Sequence, residues 1–389
     1  MPSLTPLPPS PAELRQRQQA KLHLLPKVPV RAVAPPTTPA PTFLSVFALY
    51  TTRLLIASIG LGAIAGTLIA TLDSTRRYSR ERPTSEPQIA AVSSQKYPPA
   101  LPLSQEIAPL KSELTALFEQ YPQFQPGVFL IDLDTGAYLD WQAAKPFPAA
   151  STIKAPILVA FFQAVDAGDI RLDELLTMTP ALIAGEAGDM QYQAPGTQFT
   201  ALETAIKMIA ISDNTATNML IERLGGAEQL NQTFANWGLK ATRLENWLPD
   251  LEGQNATSPL DLANLMAMVN RGDLVSLPSR DRLLDIMRQV EHTDLLPLGL
   301  EEGASIAHKT GRISSVLADA GLIDTPTGQR YIAVVMVQRP DNDEQAAALI
   351  QAVSRLAYEH FNQPRPPAPT ATTESLDAQD SVATKDEEQ

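Results

Sequence analysis

Three short segments hold residue types that together can carry out acyl transfer. Ser151-Thr152-Ile153-Lys154 sets a hydroxyl and an amine three positions apart, and on a helix positions i and i+3 share a face. A serine alkoxide is inaccessible at neutral pH without a base. A buried lysine, its pKa lowered by desolvation and a neighbouring cation, accepts that proton. Ser212-Asp213-Asn214 supplies a second hydroxyl, able to pass a proton toward a leaving group, and an amide able to hold a substrate carbonyl and the lysine. Lys309-Thr310-Gly311 ends an apolar strand pattern. There a lysine brings positive charge to a carboxylate, a glycine lets a substrate backbone lie alongside, and the amide of Arg312 can point at a developing oxyanion. Taken singly, each segment has an ordinary explanation: a solvated helix start, a helix N-cap, a surface turn. All three in this order, each on a suitable element, point to one site.

The elements that must position these residues follow from the hydrophobic pattern. Ile107, Leu110, Leu114 and Phe118 recur at helical spacing, and Val128 to Leu133 and Ala137 to Trp141 flank Asp134-Thr135-Gly136 as a β-hairpin. Helical patterns dominate from about 151 to 290. Within them Thr200 to Glu203 matches a capping box and Gly225-Gly226 closes a helix. Late strands are expected at Ala304 to Lys309, Val316 to Ile323 and Tyr331 to Val337, then a terminal helix from Gln345 to Phe361. Strands at both ends with helices between predict an α/β (α+β) fold, an antiparallel five-stranded sheet with flanking helices and an inserted all-helical subdomain.

Ser-x-x-Lys, Ser-Asp-Asn and Lys-Thr-Gly together are the signature of class A β-lactamases and penicillin-binding proteins. This sequence resembles that family from Ser104 to Phe361, including PAASTIKAPILVAFF around the first motif and AIKMIAISDNTATNMLIERLGG around the second. The resemblance implies a serine-acylating, penicillin-recognising fold with its site in the cleft between sheet and helices. The catalytic residues it implies are Ser151 as nucleophile, Lys154 as base, Ser212 as proton shuttle and Asn214 as the group positioning substrate and lysine. Substrate binding would fall to Lys309, Thr310, Gly311 and Arg312, the first two recognising a carboxylate and the amides of Ser151 and Arg312 forming an oxyanion hole. No cofactor or metal is implied.

One segment departs from the family. Class A β-lactamases carry a Glu-Pro-x-Leu-Asn loop whose Glu and Asn hold the hydrolytic water, and the matching stretch here is Trp247-Leu248-Pro249-Asp250-Leu251-Glu252. Leu248 replaces the base and Glu252 the Asn. Leucine cannot take a proton, so an acyl-enzyme with a penicillin is expected to persist unless Asp250 or Glu252 reaches the water. Glu252 is expected to face any carboxylate introduced at 248. This combination is similar to the penicillin-binding protein A type of cyanobacterial DD-peptidases. The expected function is a membrane-anchored serine DD-peptidase acting on D-Ala-D-Ala stem peptides of peptidoglycan, and acylated by β-lactams. A β-lactamase and a non-catalytic binding or scaffold protein are the alternatives.

The rest of the 389 residues bounds this reading. With 34 prolines against 19 glycines, part of the chain is expected not to fold. An extended proline-rich arm at 1–42 precedes an apolar stretch at 43–72, whose uncharged run from Leu54 to Leu72 just suffices to cross a hydrocarbon layer of about 30 Å. A retained transmembrane anchor is expected, with a cleaved signal ending at Ala63-Ile64-Ala65 or a buried core helix as rivals. A polar tether at 73–103, the catalytic domain at 104–362 and an acidic tail at 363–389 follow. Peptidoglycan lies outside the cytoplasmic membrane, so the catalytic domain is expected to be extracytoplasmic (periplasmic). Zero cysteines exclude a disulfide framework, thiolate metal sites and a cysteine nucleophile. The net charge of −13, concentrated in the catalytic block, argues against nucleic-acid binding. His23, His292, His308 and His360 form no zinc spacing, and His308 is expected on the opposite strand face from Lys309. Trp247 and Tyr192 are aromatic candidates for a ligand cleft.

Overall fold

Alternation along the strands dictates a sheet covered on both faces. Val128 and Leu130 bury on one side and Phe129 and Ile131 on the other. Val334 and Met336 likewise oppose Val335 and Val337. Successive side chains of a strand point to opposite faces, and a sheet buried on both reads as a continuous apolar run. The computed structural model describes residues 101–363. The arm at 1–42, the apolar stretch at 43–72, and the tether and tail apart from residues 101–103 and 363 lie outside the described residues. Among the described residues no helix is long and apolar enough to cross a membrane.

The described residues open with α1 (Ala108–Phe118) and the hairpin β1 (Gln125–Asp132) and β2 (Tyr138–Trp141). It returns to the sheet only at β7 (Ser305–Ile313), β8 (Val316–Asp324) and β9 (Arg330–Gln338), before α8 (Gln345–Phe361). The strand order is β2-β1-β9-β8-β7, antiparallel throughout, so N-terminal and C-terminal strands meet at β1–β9. Helices α1 and α8 cover one face with Leu110, Leu114, Leu349, Ile350 and Val353. The expected sheet is present, with β7 running on to Ile313 rather than stopping at Lys309. Thr310, Gly311 and Arg312 pair with Asp319, Ala318 and Leu317, and cross-strand pairing overrides a local pattern that had turned polar. Leu101 is already buried, so packing starts before Ser104.

The other face carries the inserted helices: α2 (Lys154–Asp166), α3 (Ala201–Ala210), α4 (Asn214–Arg223), α5 (Gly226–Asn236), α6 (Pro259–Arg271) and α7 (Leu277–Met287). Every residue of α2 from Lys154 to Phe162 is buried. A helix apolar all round belongs in the middle of a core, and each fully buried Leu, Ile or Phe contributes about 1.5–3 kcal/mol. Two short ribbons interrupt the helices: β3 (Phe147–Pro148) with β6 (Ala256–Thr257), and β4 (Leu175–Thr177) with β5 (Gln198–Thr200). The insertion is therefore not all-helical. Runs of two or three residues are too short to declare a period, and the ribbons exist because their partners fold against them. Thr200 caps α3 by accepting from the Glu203 amide at 3.1 Å, and Gly225, at φ 91°, separates α4 from α5.

The first residues of the connection from α5 to α6 are held by the Asp261 carboxylate. Buried Asp261 accepts from the amides of Lys240, Ala241 and Thr242 at 3.2, 2.7 and 2.9 Å and from the Thr242 hydroxyl at 2.9 Å. Asp261→Ala leaves the three amides without their acceptor, while the Thr242 hydroxyl keeps Thr257 Oγ1 at 2.9 Å. Urea unfolding is expected to show a loss of about 3 kcal/mol, since each orphaned buried donor costs about 1–3 kcal/mol and the group is not additive.

Candidate active site

The first motif sits at the base of α2. Residues Ala150–Ile153 form a 3-10 turn, and Lys154 is the first residue of α2. The turn is tied down at both ends: the Ala149 amide donates to Asn255 O at 2.7 Å, and the Thr152 hydroxyl donates to Ala149 O at 2.6 Å. Ala150 takes φ 44°, a left-handed conformation that costs a non-glycine residue about 1–3 kcal/mol and persists only where the surroundings impose it. Strand β7 passes so close that a Cβ on Gly311 would lie 2.9 Å from Thr152 Cγ2 and 3.1 Å from Ala149 O. The glycine of Lys-Thr-Gly is thus required by the turn beneath it, inside a strand rather than at its edge turn.

Around the Lys154 amine the separate segments converge. Its Nζ lies 3.2 Å from Ser151 Oγ, 2.6 Å from Ser212 O, 3.0 Å from Ser212 Oγ and 2.7 Å from Asn214 Oδ1. Burial holds its pKa well below the ordinary lysine value; the Lys309 charge lowers it further and Asp213 opposes. A neutral amine there accepts a proton from either serine hydroxyl. Ser212 stands between α3 and α4 at φ 57°, so the junction between helices aims its hydroxyl at the amine. Asp213 is committed to structure: it caps α4 through the Ala216 amide at 2.8 Å and takes the Met190 amide at 2.9 Å. Asn214 donates Nδ2 to Gly185 O at 2.8 Å while its Oδ1 faces the lysine.

Lys309 is fully buried with Nζ 3.0 Å from Thr310 O. Burial brings its pKa down to about 8, with Asp319 opposing. Thr310 is buried beside it. The Arg312 guanidinium is held by Asp294 at 2.5 Å and Glu344 at 3.7 Å, leaving its main chain as the part of β7 that borders the nucleophile's cleft. That cleft, of about 390 Å³, is lined by Ser151, Asn214, Leu248, Arg312 and Ser314 among others. The structure brings Ser151, Lys154, Ser212 and Asn214 into one hydrogen-bonded group, and Gly311 and Arg312 beside the Ser151 turn.

The loop bearing Leu248 is fixed by residues that motif reading passed over. Asn218 accepts from the Leu248 amide at 3.0 Å and donates to Leu248 O at 2.8 Å. It follows Asn214 by four positions on α4, so a polar pair on one helix face was the available signal. Asp250 is buried and accepts from Asn246 Nδ2, Gln254 N and Asn255 N at 3.1, 3.1 and 2.7 Å. Leu248 is buried and lines the cleft. Glu252 does not face it: its carboxylate is exposed, takes a hydrogen bond from Gln254 at 3.0 Å, and is absent from the cleft wall. Glu252 stands in a turn closed by the Gly253 amide on Asp250 O at 3.3 Å. Trp247 and Tyr192 are exposed and outside the cleft wall. His308 is buried with Nδ1 2.9 Å from Asp319, a structural pair within the sheet.

Comparison with known proteins agrees with this geometry. Residues 109–361 match the model of the β-lactamase enzyme family. The chain belongs to that family. The solved structure of PBP-A is 53% identical, with TM-score 0.66 over 67% of this chain and 99% of that one; a leucine-to-glutamate variant of PBP-A, solved as an acyl-enzyme with penicillin G, matches equally. An ancestral class A β-lactamase is 29% identical with TM-score 0.61, covering 65% of this chain and all of that one. A β-lactamase of Rhodobacter capsulatus is 28% identical over 237 residues, 59% of this chain and 80% of that protein. The family member is thus of the class A-like, PBP-A type, with the β-lactamase/transpeptidase-like fold of a serine enzyme that interacts with β-lactams.

The expectation that a charged Lys309 anchors a substrate carboxylate has a pH signature. The charged form is lost as pH rises through about 8. The rate of acylation by benzylpenicillin, followed from neutral to alkaline pH, is expected to fall above that value by roughly tenfold per pH unit. Lys309→Arg, whose guanidinium stays charged, is expected to move the fall to higher pH. A flat profile would remove Lys309 from this role.

Proposed function

We propose that this chain is a penicillin-binding serine DD-peptidase, anchored in the cytoplasmic membrane through 43–72, with its catalytic domain on the extracytoplasmic side. The observation that carries the reading is Leu248. It is an apolar side chain in the cleft wall where hydrolysis of an acyl-enzyme needs a base, while Asp250 holds its own loop through three hydrogen bonds and Glu252 lies outside the cleft wall. Acylation needs no group from that loop. Deacylation does.

In the proposed reaction Ser151 Oγ attacks the carbonyl of the penultimate D-Ala as its proton passes to the neutral Lys154 amine. The amides of Ser151 and Arg312 take the developing oxyanion, and Lys309 with Thr310 holds the terminal carboxylate. Collapse breaks the peptide bond, and Ser212 relays the proton from Lys154 to the departing D-Ala amine. The acyl group remains as an ester on Ser151 for water or an acceptor amine. A penicillin follows the same path, but its leaving amine stays tethered, so the ester waits for water that Leu248 cannot activate. The β-lactamase reading is favoured by the names of relatives 25–28% identical, and it requires a base that the loop does not present.

Labelling with fluorescent penicillin, with a measured release rate, separates the two. Ser151→Ala is expected to abolish labelling, since among the described residues Ser151 is the hydroxyl that both lies beside the Lys154 amine and borders the cleft, the Thr152 hydroxyl being bound to Ala149 O. Leu248→Glu is expected to label normally and release faster, by up to about 10²–10⁴-fold for general-base assistance. Adding Glu252→Asn is expected to change little, because that carboxylate lies outside the cleft wall. Rapid turnover of penicillin by the unchanged protein would favour the β-lactamase. For the anchor, a reporter active only outside the membrane, fused to the C-terminus, is expected to be active; a silent fusion would refute the topology.

A further inference from the structure

The cleft extends from Ser151 in one direction. Ala150, Ser151, Arg312, Ile313 and Ser314 form one side of it, whereas Lys309 and Thr310 do not border it. A substrate with its carboxylate at Lys309 and Thr310 and its scissile carbonyl at Ser151 therefore sends its acyl part along β7, past Arg312, into this space.

Three charged side chains belong to residues bordering the cleft: Glu186, Asp250 and Arg312. Two are already paired. Arg312 is bound by Asp294 and Glu344, and Asp250 by its own loop. Glu186 is exposed and makes no hydrogen bond or ion pair with any described residue. Its position is nevertheless fixed. Asn214 donates Nδ2 to Gly185 O at 2.8 Å and its amide to Ala187 O at 3.2 Å, gripping the chain on both sides of residue 186. Glu186 itself takes φ 72°, a conformation that glycine adopts without strain. Glycines stand at 185 and 188, yet the strained position carries a glutamate. Backbone strain held by its surroundings at the mouth of a site is a mark of function.

We propose that Glu186 binds an ammonium group on the acyl side of the scissile bond, and so selects stem peptides that carry a free amine on the residue before the D-Ala pair, that is, a basic or diamino acid. The inference rests on the DD-peptidase reading for the identity of the peptide, but its charge preference is open to test with β-lactams alone. Benzylpenicillin and ampicillin share a nucleus and a phenyl side chain, and ampicillin adds an ammonium on the acyl side. Second-order acylation constants for both are measured on the full chain in detergent, for the unchanged protein, Glu186→Gln and Glu186→Lys. The quantity read is the ratio of ampicillin to benzylpenicillin, so a general change in the cleft cancels. The ratio is expected to fall about two- to fivefold in Glu186→Gln, as for a solvent-exposed ion pair, to fall further in Glu186→Lys, and to be compressed by high salt. In parallel, D-Ala release is compared between N-acetyl-lysyl-D-Ala-D-Ala and the same peptide acetylated on the side-chain amine, where the same ratio change is expected. A β-lactam ratio equal in all three proteins overturns the proposal. If neither peptide yields D-Ala, the DD-peptidase reading fails and the β-lactam ratio alone decides whether Glu186 selects cations.

Discussion

The site depends on one buried amine. Lys154 opens the most apolar helix among the described residues, and has no exposed surface itself. Burying an ammonium costs several kcal/mol even after relaxation, and that penalty is what lowers its pKa toward a useful base. The cost is tolerable only because four acceptor atoms surround Nζ, three of them from Ser212 and Asn214 some sixty residues away. The core must therefore bring the α3–α4 junction against the foot of α2. Van der Waals contact in the core and hydrogen bonding at the site are one arrangement seen from two ends.

Strain clusters where this arrangement is tightest. Ala150, Glu186 and Ser212 are non-glycine residues with positive φ, and each borders the Lys154 group or its immediate ligands. Asn214 links them: its side chain faces the lysine with oxygen and the 185–187 segment with nitrogen. Asn218, one turn further along α4, does the same for the loop at Leu248. One helix thus fixes the amine, the acyl-side wall and the loop that governs water. Opposite, β7 contributes backbone at the close approach that Gly311 permits.

In the reaction proposed above, the residues around Lys154 serve acylation and the 246–255 loop bears on hydrolysis. Both are held in place by hydrogen bonds to the main chain. Asp250 illustrates how a carboxylate near a site can serve structure: its oxygens hold the loop together through Asn246, Gln254 and Asn255.

Much of this was legible in the linear order. Continuous apolar runs announced the sheet, the apolar sequence after Lys154 announced a central helix, and three short motifs announced the serine–lysine–asparagine cluster and the edge strand. These features depend on residue type and on spacing over a few positions, which sequence records directly. The extension of β7 to Ile313, the two short ribbons, the outward turn of Glu252, the Asn218 clamp and the strained placement of Glu186 were decided by tertiary structure. Most are set by a partner on another element: the neighbouring strand β8 for β7, Phe199 for Leu176, α4 for the loop and for residues 185–187. Local residue types specify what a segment can do, while only the packed chain determines which backbone groups lie within hydrogen-bonding distance and which way a side chain is left to face.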